Sequence, residues 1–121
     1  MPRILIVDDD AEVLSFMAEA LDGQGYDVRS LQNSVHASAV LGEEKFDLIV
    51  TDVIMPKVHG LEILENARRR SPSARVIFVT GHPQQAIVQE GLEKGALDVL
   101  EKPFSMTEFQ SVVSRALAAK S

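Results

Sequence analysis

Four short runs of branched or aliphatic residues recur along the chain: Ile4–Val7, Leu48–Val50, Val76–Val79 and Leu97–Leu100. Longer stretches with one-sided apolar spacing alternate with them. Runs of this length and composition suit strands buried on both faces of a parallel sheet. Tyr26–Leu31 is weaker and more polar, and suits an edge strand. Phe109, Val112, Val113, Ala116 and Leu117 keep the i, i+3, i+4, i+7, i+8 spacing of a helix with one apolar face. Leu14, Met17 and Leu21 give a similar stripe earlier. Gly23 and Gly25 are placed to end the first helix and Gly95 the fourth, because glycine accepts the left-handed conformation of a helix C-terminus. Ser105 and Glu108 have capping-box spacing at the start of the last helix. Five strand–helix repeats, right-handed crossovers and covered sheet faces predict a doubly wound, three-layer α/β domain.

The 121 residues fit one such domain, and a hydrophobic share of 45% is enough for its core. Cysteine is absent, so disulfides, thiolate metal sites and cysteine nucleophiles are excluded together. The balance of 12 basic against 18 acidic residues gives −6, with no long basic run, which makes direct nucleic-acid binding by this chain a poor fit. No apolar run approaches the roughly 20 residues of a membrane span. The apolar opening is too short for a signal-peptide core and runs into three aspartates. The chain reads as soluble and cytoplasmic.

Ligands of doubly wound sheets sit beyond the carboxyl ends of the strands. Strand one ends at Asp8-Asp9-Asp10, strand three at Asp52, strand four at Thr80 and strand five at Lys102-Pro103, while edge strand two supplies nothing comparable. Each residue alone has a plain explanation: Asp9 or Asp10 as a helix cap, Thr80 as a turn hydroxyl, Lys102 as a solvated charge. All four in register on one rim favour a site. Three crowded carboxylates repel, one lysine cannot offset them, and a hard divalent cation such as Mg²⁺ can. Such a rim suits phosphoryl transfer: metal and Lys102 neutralise the phosphoryl group, Thr80 donates a hydrogen bond, and one carboxylate attacks in line. Asp52 stands alone and is the expected nucleophile; an adjacent acidic pair holds the metal.

Along essentially its whole length the chain resembles the receiver domain of two-component response regulators. The matching segments are Ile4-Leu-Ile-Val-Asp-Asp-Asp10, Leu48-Ile-Val-Thr-Asp-Val-Ile-Met-Pro56 with Gly60, Val79-Thr-Gly81, and Gly95-Ala-Leu-Asp-Val-Leu-Glu-Lys-Pro-Phe104. The resemblance implies a flavodoxin-like (βα)5 fold with parallel strand order 2-1-3-4-5, and residues 1–121 as one receiver domain. It implies Mg²⁺, replaceable by Mn²⁺, on Asp8, Asp9, Asp52 and the backbone carbonyl of Ile54. It further implies phosphorylation of Asp52 by a sensor histidine kinase or phosphotransfer protein. Thr80 and Lys102 then contact the phosphoryl oxygens, and the Lys102–Pro103 bond is cis, which proline makes accessible. The activity implied is that of a phosphoacceptor with slow self-dephosphorylation, not a turnover enzyme.

Three positions depart from or tune the pattern. Val99 stands where the family often has an aromatic whose rotation accompanies movement of the threonine, so signalling is expected to run through the Thr80 loop and helix four. Ile54 and His82 are the family's two positions facing the phosphoryl group. Ile54 cannot orient an attacking water, which predicts slow loss of phosphate. His82 could position water, or cap the following helix with Pro83 in its first turn; the cap is the favoured reading. His36, in a helix, and His59, in the loop after strand three, have no second metal ligand spaced to join them.

Other chemistries fit less well. A flavin-binding domain needs a hydroxyl- and glycine-rich loop after strand one, where three aspartates here repel phosphate. A haloacid-dehalogenase-like phosphatase needs a second aspartate at the Ile54 position. The alternative that stays open is a non-phosphorylated interaction module, although such modules usually lose one of the acids or the lysine present here. The face of helix four, strand five and helix five is the expected contact surface for an output domain, a target protein or a phosphorylation-dependent homodimer. Thr80-Gly-His-Pro and Leu-Glu-Lys-Pro-Phe resemble receivers attached to transcriptional outputs. A free-standing regulator and a receiver cut from a longer protein look identical at this length.

Overall fold

In a computed structural model, residues 1–55 and 58–118 are described; Pro56, within the third strand's motif, and residues 119–121 lie outside them. The elements run β1 (Arg3–Val7), α1 (Ala11–Leu21), β2 (Asp27–Leu31), a 3-10 turn (Ser34–His36), α2 (Ala37–Glu43), β3 (Leu48–Asp52), α3 (Gly60–Arg70), β4 (Arg75–Thr80), α4 (Ala86–Glu93), β5 (Asp98–Glu101) and α5 (Met106–Ala118). All neighbouring strands pair parallel, in the order β2-β1-β3-β4-β5. This is the flavodoxin-like doubly wound fold.

Period-two alternation divides the buried strand residues between two apolar layers. Ile4, Ile6, Leu48, Val50, Ile77 and Val79 pack with Leu14, Met17 and Leu21 of α1 and Phe109, Val112 and Val113 of α5. Leu5, Val7, Ile49, Val76 and Phe78 pack with α2, α3 and α4, among them Val40, Leu41, Ile63, Leu64 and Val88. The central strands are therefore apolar on both faces, which produces the unbroken runs in the sequence.

The end signals act as their chemistry dictates. Asp10 caps α1, accepting from the amides of Glu12 (2.9 Å) and Val13 (3.4 Å). Gly23 and Gly25 follow α1 with φ of 75° and 85°. Ser105 and Glu108 cap α5 reciprocally, each amide donating to the other's side chain at 3.0 Å.

Two expectations are corrected. The fifth strand is shifted one residue, to Asp98–Glu101, and is an edge strand: its ends are exposed, and Leu97 just before it is 46% exposed. Lying outermost in the order, it has one neighbour and a face that no strand shields. His82 does not cap α4, because the chain makes another turn, with the Gln85 amide donating to the His82 carbonyl (3.2 Å), before the helix starts. Gln85 holds the cap position without a side-chain hydrogen bond.

Candidate functional site

The carboxyl ends of four strands deliver the rim. Asp8 leaves β1 fully buried; its amide still donates to the Leu31 carbonyl (3.2 Å), and its carboxylate accepts from the Asp10 amide (2.9 Å). Asp52 and Thr80 are the last residues of β3 and β4, at 7% and 1% exposure. Lys102 follows β5 directly, its peptide bond to Pro103 is cis, and its ammonium reaches back across the sheet. Lys102 Nζ lies 2.8 Å from Asp8 Oδ2 and 3.2 Å from Asp52 Oδ2.

Gly60 sets the approach of α3 to this corner. Its amide donates to the Val53 carbonyl at 2.8 Å. A Cβ there would stand 2.7 Å from the Asp52 carbonyl oxygen and 2.9 Å from Val53 Cα, closer than side chains tolerate. The absent side chain lets the helix begin against the backbone of Asp52. The Thr51 hydroxyl also donates to the Asp52 carbonyl (2.8 Å), so that peptide is held from two sides.

Electrostatically the corner carries three carboxylates against one ammonium. One ligand oxygen from each of Asp8, Asp9 and Asp52 lies within 4.8 Å of the others. Burial pushes the Asp52 carboxyl above the usual 3.8; Lys102 pulls it down, and Asp8 adds to the rise. Burial acts to lower the Lys102 ammonium, but hydrogen bonding to Asp8 and the charge of Asp52 hold it above its ordinary value. Lys102 is thus a fixed cation, and two of the three carboxylates remain in excess of it. An all-oxygen donor set with surplus negative charge, partly open through exposed Asp9, fits a hard divalent cation such as Mg²⁺.

Ile54 and His82 lie on the same rim, whereas Val99 lies within β5. Ile54 is 44% exposed beside Asp52. His82 is exposed, and its backbone amide donates to Thr80 Oγ1 at 3.0 Å. Val99 pairs in register with Phe78 and is half-buried against the α2, α3, α4 layer. His59 precedes α3 and pairs with Glu62 (3.3 Å), and His36 ends the 3-10 turn before α2. Neither joins the acidic cluster.

Edge strand two contributes more than expected. Gln32, directly after β2, donates to the Asp9 backbone carbonyl at 3.4 Å and helps close the acidic loop. Its place at the same rim was a signal, but a glutamine carries no chemistry of its own to draw notice. Beside the acids, Glu12, Val13, Phe16, Lys102, Pro103 and Phe104 line a largely apolar groove of about 440 Å³. Phe104 stacks on Phe109 at 5.4 Å between ring centres and tilts against Phe16 at 6.1 Å.

A sequence model of the response regulator receiver domain matches residues 4–114. The chain is 32% identical over 119 residues to the response regulator receiver protein CpdR of Brucella abortus (strain 2308), spanning 98% of this chain and 99% of that one. It is 35% identical over 115 residues to the DNA-binding transcriptional regulator NtrC of Rhizobium meliloti (strain 1021), spanning 95% of this chain but 24% of NtrC. The crystal structure of a CheY-like receiver domain protein from Methanospirillum hungatei JF-1 superposes with a TM-score of 0.91 at 30% identity, over 98% of this chain and 94% of that one. With its fold, its acidic rim and these relatives agreeing, the chain belongs to the response regulator receiver domain family.

Proposed function

We propose that this receiver accepts a phosphoryl group on Asp52 from the phosphohistidine of a sensor kinase or phosphotransfer protein. The observation that carries this reading is the reach of Lys102 to both Asp8 (2.8 Å) and Asp52 (3.2 Å), beside a three-acid cluster. Asp8, Asp9, Asp52 and the Ile54 backbone carbonyl are the groups that would hold Mg²⁺. Bound there, the ion supplies charge neutralisation for a transferring phosphoryl group.

The chain's own residues do the rest. An Asp52 carboxylate oxygen forms the new bond to phosphorus as the P–N bond to the donor imidazole breaks, and the bonding pair leaves with that nitrogen. Lys102 turns its ammonium from carboxylates to phosphoryl oxygens, and Thr80 donates its hydroxyl to another. Burial of Asp52 limits water at the acyl phosphate, and the Ile54 side chain offers no group to orient one. The apolar groove next to Lys102 suits the apolar side of a donor helix. The α4–β5–α5 face, with exposed Leu92 and Leu97, is the surface for an output domain, a target or a second copy.

The test is incubation with acetyl phosphate with and without Mg²⁺, followed by intact mass and peptide mapping. The expected result is one added phosphoryl group on Asp52, requiring Mg²⁺ and lost in Asp52→Ala. An unmodified wild type overturns the reading in favour of a non-phosphorylated interaction module, and equal modification of the Ala variant overturns Asp52 as the acceptor.

A further inference from the structure

Strand β3 carries a polar side chain into an apolar layer. Thr51 is fully buried and stands in the sheet register between Val7 of β1 and Phe78 of β4. Both neighbours belong to the layer packed with α2, α3 and α4, as do Ile49 two residues before it and Val53 two residues after. Valine would fill this place with nearly the same shape and no polar group to satisfy. A buried hydroxyl needs a partner, and here it is the Asp52 carbonyl, which accepts from Thr51 Oγ1 at 2.8 Å.

That carbonyl is one end of the Asp52–Val53 peptide. The Val53 amide, at the other end, hydrogen bonds to the Asp52 carboxylate. The peptide is a rigid plane, so the direction of its carbonyl sets the direction of its amide. Gly60 bounds the same carbonyl on the α3 side, for a Cβ there would stand 2.7 Å from the oxygen. The next peptide is fixed too, because the Val53 carbonyl accepts from the Gly60 amide at 2.8 Å. The Asp52 carboxylate and the Ile54 carbonyl, both proposed above to hold Mg²⁺, lie at the two ends of this stretch.

We propose that Thr51 is a positioning residue for the cation site: its hydroxyl fixes the Asp52–Val53 peptide, and through it the orientation of the Asp52 carboxylate toward Mg²⁺. The proposal rests on the Mg²⁺-holding part of the reading above. Thr51 itself touches neither the ion nor a phosphoryl group, since its side chain leaves the opposite face of the strand from that of Asp52. It acts through a backbone plane, and contacts that orient a metal ligand are worth about 10- to 100-fold in affinity.

Two variants separate the hydroxyl from the packing. Thr51→Val keeps the shape and removes the hydroxyl. Thr51→Ser keeps the hydroxyl and takes a methyl group out of the apolar layer. Mg²⁺ affinity is measured by titrating amide chemical shifts, at a temperature where urea unfolding in chelator shows both variants to be fully folded. A role in packing alone makes the serine variant the weaker binder, because it opens a methyl-sized void beside Val7 and Phe78.

The positioning role gives the reverse order: Mg²⁺ affinity about 10-fold weaker in Thr51→Val and near the wild-type value in Thr51→Ser. Wild-type affinity in the valine variant overturns the proposal and leaves the Mg²⁺ reading standing. So does a serine variant that loses as much as the valine variant, or more. A wild type with no saturable Mg²⁺ response removes the Mg²⁺ reading and the role of Thr51 with it.

Discussion

At the scale of single residues, the rim stores an electrostatic conflict that a substitution at Asp52 exposes. Asp52 sits buried beside Asp8, and its folded carboxyl titrates above 3.8, the value for an exposed group, so folding favours its protonated form. Wild-type stability is therefore whole below 3.8 and falls as pH rises through the folded value, where the charge must be carried. In chelator-treated protein, Asp52→Asn should melt higher than wild type near neutral pH, and the gap should close below pH 3.8. A gap that persists in acid would point to packing instead of charge. Saturating Mg²⁺ should raise the wild-type midpoint and leave the Asn variant nearly unmoved. Ile54 poses the opposite question, of water and not of charge. Ile54→Asn puts a polar group at an exposed rim position, and phosphate loss after Mg²⁺-dependent labelling should speed up about 3- to 10-fold, or roughly 0.7–1.4 kcal/mol of barrier. Decay at the wild-type rate counts against the role given to Ile54. Asp52 and Lys102 were legible in the sequence because carboxylates and ammonium groups advertise chemistry. Gln32 was not, since what it does depends on where the Asp9 carbonyl lies in space.

At the scale of elements, local chemistry made some boundaries readable and left others to tertiary contacts. The α1 and α5 stripes, the Ser105–Glu108 box and the Gly95 closure are satisfied within a few residues, so spacing alone reveals them. The start of α4 is not of this kind. His82-Pro83 has the composition of a helix entry, yet Thr80 takes the His82 amide and the chain turns again before Gln85. The fifth strand misled for a related reason: an aliphatic run looks the same in a central strand and at an edge, and the pairing decides. Gly95 offers the clearest test at this scale. Alanine at φ 114° is strained, and its Cβ would displace the Arg68 guanidinium. Gly95→Ala should cost about 1–2 kcal/mol in urea unfolding. Hydrogen exchange at the C-terminal amides of α4 should quicken at the same time; loss of stability without that local signature would place the cost elsewhere.

At the scale of the whole molecule, the sheet separates a reactive rim from a structural one. The amino ends of the strands are gathered by Arg3, whose guanidinium donates to Asp27 Oδ2 (3.0 Å) and the Lys45 carbonyl (3.1 Å) and also pairs with Glu44. It lies over the Phe46 ring at 4.9 Å, and Arg29 converges on the same Glu44. One side chain thus joins β1, β2 and the segment leading into β3. A single exposed ion pair would contribute little, but a network that also covers an aromatic face contributes more. Arg3 and Asp8 are five residue steps apart along β1, about 16 Å of extended chain. That exceeds the screening length of about 10 Å at 0.1 M salt. The two rims should accordingly be energetically separate. Arg3→Ala is expected to lower unfolding free energy by about 1–2 kcal/mol. Mg²⁺ affinity by calorimetry and the rate of Asp52 labelling by acetyl phosphate should stay at wild-type values, measured where the variant is fully folded. A parallel fall in Mg²⁺ affinity would mean that β1 transmits its anchoring to Asp8, since the Asp8 amide is itself tied to β2 through Leu31.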